Sequence, residues 1–241
     1  MKRALILQHM DHDTPGRFLD FFAEDGILPH PVRLFDGEAI PELASYDLMF
    51  VLGGAQHVWQ EAEYPWLREE KQAVREWVWD RAKPYVGVCL GHQLLADALG
   101  GEIVPAGRAE VGVYDVALTD EGRRHRLFKG LDGAHKVMQW HRAEVKRAPR
   151  DALVLASSSA CAVQALAIGG HAVGTQFHCE FTPQTMMSWS SQPGAIASLE
   201  EARGTGYYRT FLAEAYPLMP GMAAMTRRIY DNLMESAGLK R

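Results

Sequence analysis

The sequence predicts an α/β fold: a parallel sheet with helices on both faces, an antiparallel or mixed extension, and helices at the C-terminus. Three observations point there. Short apolar runs alternate with helix-patterned segments up to Gly101, strand candidates separated by Gly, Asp and Ser follow from about Glu102, and the segment past residue 183 is mostly helical.

"RALILQ" reads as a short buried strand. The helix after it is "GRFLDFFAEDG", with Phe18, Leu19 and Phe22 recurring at helical spacing and Gly26 as its stop. "DLMFVLGG" is an apolar run ending in paired glycines, and "PWLREEKQAVREWVWDRA" gives a long amphipathic helix with Pro65 near its first turn. "KPYVGVCLGHQLLADALGG" packs a strand, a tight turn and a helix into one segment. In such a sheet, functional groups collect at the carboxyl ends of the strands. "EIVPA", "VGVYDVALT", "HKVMQW", "ALVLASS", "AVQALAI" and "HAVGTQF" then supply the extension. Met222, Met225 and Ile229 share one helical face, for which core filling is a simpler account than an adaptable partner surface.

The length of 241 residues suits one domain over 1–241, with a core to about residue 183 and a helical extension over about 184–241. A hydrophobic fraction of 47% with 23% charged residues excludes a disordered chain. Net charge −5 without a basic run leaves no electrostatic footprint for nucleic acid or an anionic membrane. The apolar run Ala4 to Leu7 is too short for a signal peptide, and no stretch approaches the roughly 20 apolar residues of a membrane span. A cytoplasmic protein is expected, with Cys89, Cys161 and Cys179 as free thiols. No nucleotide-binding motif occurs, so no cofactor is expected. His9, Asp11, His12 and Asp13 are ligand-type residues, but without a helical His–x–x–x–His pair they read as a solvated loop rather than a metal site.

The chemistry concentrates at Cys89. Gly87 and Gly91 flank it between a strand and a helix, the pattern of an elbow that exposes a nucleophile. A helix N-terminus there favours the thiolate, and the Leu90 N–H can donate to a developing oxyanion. Among ten histidines, His178 alone ends a strand candidate with a carboxylate two residues on. In extended backbone His178 and Glu180 share a face while Cys179 points away, so Cys89, His178 and Glu180 would be nucleophile, proton carrier and orienter. Gly53 and Gly54 end another strand, where an ordinary turn and a second oxyanion donor from Gly54 are equally good readings. His57 lies close enough to that loop to contact a substrate, and Cys161 reads as a core or edge residue.

Together, "GGAQ", "GVCLGHQ" and "FHCEFTP", in this order, resemble the class I (triad) glutamine amidotransferases, in particular stand-alone members similar to the glutaminase domain of GMP synthetase. The similarity runs from about residue 3 to 183. It implies a flavodoxin-like three-layer core with a mixed, mostly parallel central sheet. It also implies hydrolysis of the γ-amide of glutamine or a γ-glutamyl compound through a Cys89 thioester, with Gly54 and Leu90 holding the oxyanion. Gln93 would lie near the substrate amide, Gly53 would also bind the substrate, and the backbone of Trp140, His141 and Arg142 would receive its amino-acid end. Three positions depart from the family: Ala55 replaces the usual Pro after the double glycine, Arg142 and Ala143 replace Gly-Asp, and Cys179 replaces the Pro between His and Glu. The partner expected is a small molecule. A self-sufficient γ-glutamyl hydrolase, monomeric or homodimeric, is favoured over a subunit that hands ammonia to a separate synthetase. Intact Cys89, His178 and Glu180 argue against a non-enzymatic binding protein.

Overall fold

In the computed structural model, which describes residues 1–240, nine strands form one sheet. They are β1 (Lys2–Gln8), β2 (Ile27–Arg33), β3 (Leu48–Val51) and β4 (Tyr85–Val88), then β5 (Glu102–Leu118), β6 (Ala134–Arg147), β7 (Ala152–Ser157), β8 (Ala165–Ile168) and β9 (Ala172–Thr175). The order across the sheet is β2-β1-β3-β4-β9-β8-β7-β5-β6. From β2 to β9 all neighbours are parallel, and from β9 to β6 all are antiparallel.

Alternation along the parallel strands separates two apolar layers. Ala4, Ile6, Phe50 and Val86 face Phe18 and Phe22 of α1 (Phe18–Asp25) on one side. Leu5, Leu7, Met49 and Tyr85 face the other side, against α2 (Trp66–Arg75) and α3 (Leu90–Ala98). Period-two side chains thus give a helix–sheet–helix sandwich, and β3 and β4, buried on both faces, are continuous apolar runs. A short α4 (Asp120–Arg124) follows β5, and Thr119 caps it by accepting from Gly122 N at 2.9 Å.

Several sequence expectations need correction. In α1 the buried residues are Phe18, Phe21 and Phe22, whereas Leu19 is 39% exposed, because the i, i+3, i+4 stripe selects Phe21. The sequence pattern marks no strand over "ILPHPVR", yet this segment forms β2, and its two prolines are tolerated because β2 is an edge paired only with β1. "EIVPA" and "VGVYDVALT" belong to one strand, β5, whose register against β6 shifts between Pro105 and Glu110. The long helix expected after Pro65 is α2 followed by a π-helical stretch, Glu76–Asp80.

The C-terminal segment forms α5 (Pro183–Ser190), α6 (Pro193–Arg203), α7 (Tyr207–Ala215) and α8 (Met219–Ser236). Thr182 and Thr185 make a reciprocal capping box at the start of α5, with Pro183 at its first turn. Leu199 and Phe211 pack with Val111 and Met138, which lays α6 and α7 over the antiparallel strands. Met225, Ile229 and Leu233 of α8 enter the core beside α1, and Met222 is buried with the α6–α7 layer, so the methionine face is core. No helix among the described residues is long and apolar enough to cross a membrane.

Close backbone packing fixes the junction of β3, β4 and α3. A Cβ on Gly91 would lie 2.2 Å from Val51 O. Alanine would favour the helix by roughly 0.5–1 kcal/mol, but overpacking costs about 1–3 kcal/mol or more. Gly91→Ala is therefore expected to lower the urea midpoint; an unchanged or raised midpoint would contradict this packing.

Candidate active site

Cys89 is the link between β4 and α3, and its backbone is at φ 52°, ψ −102°, a conformation rare for a residue with a side chain. Neighbouring bonds hold it there. Cys89 N donates to Thr175 O at 2.8 Å, Gly91 N donates to Leu52 O at 3.1 Å, and a Cβ on Gly87 would lie 2.6 Å from Gly91 O. Such a backbone costs on the order of 1–3 kcal/mol and persists where surrounding contacts over-determine it. Sγ lies 3.7 Å from Gln176 Nε2 and 3.9 Å from Trp140 O.

His178 and Glu180 stand just past the end of β9, His178 after a bend at residues 176–177 and Glu180 in a turn at residues 179–180, rather than in the strand the sequence suggested. The turn brings them together all the same: His178 Nδ1–H donates to Glu180 Oε1 at 2.7 Å. Burial alone would depress the His178 pKa, but the Glu180 carboxylate and the neighbouring Cys89 sulfur outweigh it and hold the imidazole well above its ordinary value of 6.5. Nε2 has no hydrogen-bond partner among the described residues. Cys179 faces the core near Thr175 Oγ1 at 3.6 Å, and burial pushes its thiol up to about 12. Cys161 is likewise buried, its thiol pushed up to about 12 by the same cause.

A methyl group placed on Gly53 would meet His178 Cε1 at 3.3 Å, Asp13 Oδ2 at 3.6 Å and Cys89 Cβ at 3.6 Å, so three side chains converge over this glycine. They border a cavity of about 460 Å³. Gly54 and Leu90 line it, and neither backbone N–H has a protein acceptor among the described residues. Gly53 lies behind the wall, its carbonyl accepting from His9 Nδ1 at 2.8 Å. A cysteine sulfur beside a histidine ring, facing two N–H donors with no acceptor among the described residues, can attack an acyl carbon and hold the negative oxygen that results.

The other expected residues divide by role of backbone and side chain. Gln93 lines the cavity, with Nε2 donating to Ala143 O at 3.1 Å and to Gln176 Oε1 at 3.0 Å. His141 lines it too, but its ring is taken by Glu110 Oε2 at 2.9 Å and Ala143 O at 3.0 Å. The Arg142 guanidinium turns to α6, donating to Glu201 Oε2 at 2.5 Å and Ser198 Oγ at 3.1 Å. Trp140 packs edge-on against Trp189 and Phe211. His57 lies at the cavity stacked on Trp59, and burial lowers its pKa.

The loop after β1 departs from expectation. Asp11 is exposed and His12 half-exposed, but His9 and Asp13 are buried, so the segment is not a solvated loop. Asp13 Oδ1 accepts from Trp189 Nε1 at 3.1 Å, and the Trp189 ring meets His178 edge-on at 4.8 Å. Burial raises the Asp13 pKa against the opposing pull of His178. His9 Nε2 reaches Glu70 Oε1 at 2.9 Å; both partners of its ring are acceptors, and although burial lowers its pKa, Glu70 makes the net change upward. One signal for Glu70 lay in the sequence: it falls three residues from both Leu67 and Ala73, on the buried stripe of α2.

Residues 29–189 match the family described as Glutamine amidotransferase class-I. Over 188 residues the chain is 30% identical to the glutamine amidotransferase-like protein YfeJ of Salmonella typhimurium, covering 76% of this chain and 78% of that one. It is 32% identical over 150 residues to one of the subunits of the glutamine-hydrolyzing GMP synthase of Sulfolobus acidocaldarius, covering 62% of this chain and 75% of the other. A crystal structure of a glutamine amidotransferase from Thermotoga maritima matches with a TM-score of 0.85 at 27% identity, over 98% of both chains.

Since Glu180 raises the His178 pKa, Glu180→Gln is expected to bring it down, read by NMR titration of the ring protons. The sign of the linkage follows. A pKa raised on folding gives stability that is fully present below the unfolded value of 6.5 and is lost as pH rises through the folded value. The stability advantage of wild type over Glu180→Gln should therefore shrink as pH rises through that value. An unchanged His178 pKa would contradict the pairing.

Proposed function

This chain belongs to the class I glutamine amidotransferase family, and we propose that it hydrolyses the γ-amide of glutamine or a related γ-glutamyl compound through a thioester on Cys89. The observation that carries the reading is the convergence of Cys89 and His178 over Gly53, beside the N–H groups of Gly54 and Leu90, which have no acceptor among the described residues. The Cys89 thiolate attacks the γ-carbonyl carbon, and the carbonyl electron pair moves to an oxygen held by those two N–H groups. His178 gives its proton to the leaving nitrogen as the C–N bond breaks, which leaves the γ-glutamyl thioester and ammonia or an amine. Water then enters, His178 takes its proton, and collapse of the second tetrahedral intermediate breaks the C–S bond to release glutamate. Glu180 keeps Nδ1 protonated, so that Nε2 serves both steps.

Gln93 and the backbone of Trp140 to Arg142 are proposed to receive the substrate. They line the cavity together with Met10 and His12, and a free amino acid needs donors and acceptors of both kinds at its α-groups. The reading as a self-sufficient hydrolase rests on the C-terminal helices: Trp189 of α5 and Ala195 and Ser198 of α6 complete the cavity wall, and Arg142 is tied to α6. Similarity to the Sulfolobus GMP synthase chain supports a second reading, in which ammonia passes to a separate synthetase.

The test is Cys89-dependent release of ammonia or amine from glutamine and a panel of γ-glutamyl amides and peptides. Cys89→Ala is expected to lower kcat by about 10⁴-fold or more, while Cys179→Ala keeps most of the activity because its side chain faces the core. Equal activity in wild type and Cys89→Ala would sink the enzymatic reading. Turnover of glutamine only on addition of a synthetase would favour the second reading.

A further inference from the structure

The proposed reaction needs the Gly54 N–H turned into the cavity before substrate arrives, and nothing in a Gly-Gly-Ala sequence enforces that. Glycine permits both orientations of the preceding peptide, and Ala55 supplies no ring to restrict the turn. In a planar trans peptide the C=O and N–H point in opposite directions. Whatever holds the Gly53 carbonyl therefore decides where the Gly54 N–H points.

That carbonyl is held from behind the wall. His9 Nδ1–H donates to Gly53 O at 2.8 Å, from a ring that is 1% exposed and lies outside the cavity lining. Glu70 of α2 fixes the ring from the other side at 2.9 Å, and Trp66 stacks on it at 5.3 Å with planes 11° apart. Two lesser bonds join the same pair of loops: Ala55 N lies 3.2 Å from Met10 Sδ, and Gln56 Nε2 donates to His9 O at 3.4 Å. His9 and Leu90 pack tightly on the glycine itself, since a Cβ on Gly54 would lie 2.9 Å from His9 Cβ and 2.8 Å from Leu90 Cδ2. A buried His–Glu pair is not needed for stability, because well-packed apolar residues of the same volume serve as well or better.

We infer that His9, oriented by Glu70, is a positioning residue that locks the Gly53–Gly54 peptide with its N–H facing Cys89, so that the oxyanion site is formed before substrate binds. The inference rests on the hydrolase reading above and goes beyond it, because it assigns the preorganisation to a residue that touches no substrate. With the carbonyl unheld, the peptide can turn over, aim an oxygen at the developing oxyanion and abolish one donor. The expected signature is a loss in kcat with little change in KM, since the donor acts on the transition state.

Two substitutions separate the roles of the ring nitrogens. His9→Gln places its amide nitrogen where Nε2 was, preserving the bond to Glu70 and losing the donor to Gly53; His9→Asn places it where Nδ1 was and keeps that donor. With glutamine as substrate, His9→Gln is expected to lose roughly 100-fold in kcat at near-constant KM, and His9→Asn to recover about tenfold or more of that loss. A γ-glutamyl aldehyde, whose hemithioacetal on Cys89 carries the oxyanion, should bind His9→Gln correspondingly more weakly. Alkylation of Cys89 by iodoacetamide, which forms no oxyanion, should proceed at the wild-type rate in both variants. If wild type binds the aldehyde but His9→Gln and His9→Asn bind it equally well, or if kcat falls equally in both, the positioning role is overturned and the hydrolase reading stands. If wild type neither turns over a γ-glutamyl compound nor binds the aldehyde, the hydrolase reading fails and takes the inference with it.

Discussion

The turn at Cys89 is the constraint on which the site depends. A strand buried on both faces must hand over to a helix within one residue, and this is possible only because the backbone there enters the positive-φ region. Gly87 and Gly91 let β3, β4 and α3 approach to contact, and the cysteine is forced outward at the carboxyl edge of the parallel sheet. The strain is local. The bonds that resist it reach across the sheet, from Thr175 on β9 to Leu52 after β3, so the two neighbouring strand ends that carry the Gly53–Gly54 loop and His178 are fixed by the same contacts.

Around this turn the cavity is backed by buried histidine–glutamate pairs. His178–Glu180 at 2.7 Å stands beside the sulfur, His9–Glu70 at 2.9 Å behind the glycine loop, and His141–Glu110 at 2.9 Å across the β5–β6 pair, on the strand that carries Trp140 and Arg142. In each pair the carboxylate fixes a ring whose other nitrogen faces the site or a backbone carbonyl that shapes it. Low dielectric makes these bonds strong and their breakage costly, which suits walls that must keep their shape. The loop after β1 ties two of these walls together: His9 holds Gly53, and Arg17 N donates to Glu180 O at 3.1 Å. The C-terminal helices add to the same frame, Thr226 of α8 donating to Cys179 O at 2.6 Å and Trp189 of α5 to Asp13.

Much of this was legible in the sequence where local pattern and chemistry agree. Paired apolar runs and glycine-flanked Cys89 required no tertiary information, and the His178–x–Glu180 spacing puts those two side chains in contact although the backbone there is not a strand. What escaped was set by long-range packing. The prolines of β2 hid a strand that only its edge position permits. Asp13 and His9 looked like solvated loop residues because their partners, Trp189 and Glu70, lie far along the chain. Glu70 was the readable exception, an acid on the buried stripe of an amphipathic helix, which signals that a polar partner must reach it.

The central claim is that Cys89 carries the acyl group in turnover. The most direct measurement is rapid acid quenching of wild type during reaction with a γ-glutamyl substrate, followed by mass spectrometry of the peptides containing Cys89, Cys161 and Cys179. The account predicts a γ-glutamyl adduct on the Cys89 peptide alone, rising to a steady state and decaying as substrate is consumed. An adduct on the Cys179 peptide, or product released with no adduct on any cysteine under single-turnover sampling, would contradict it.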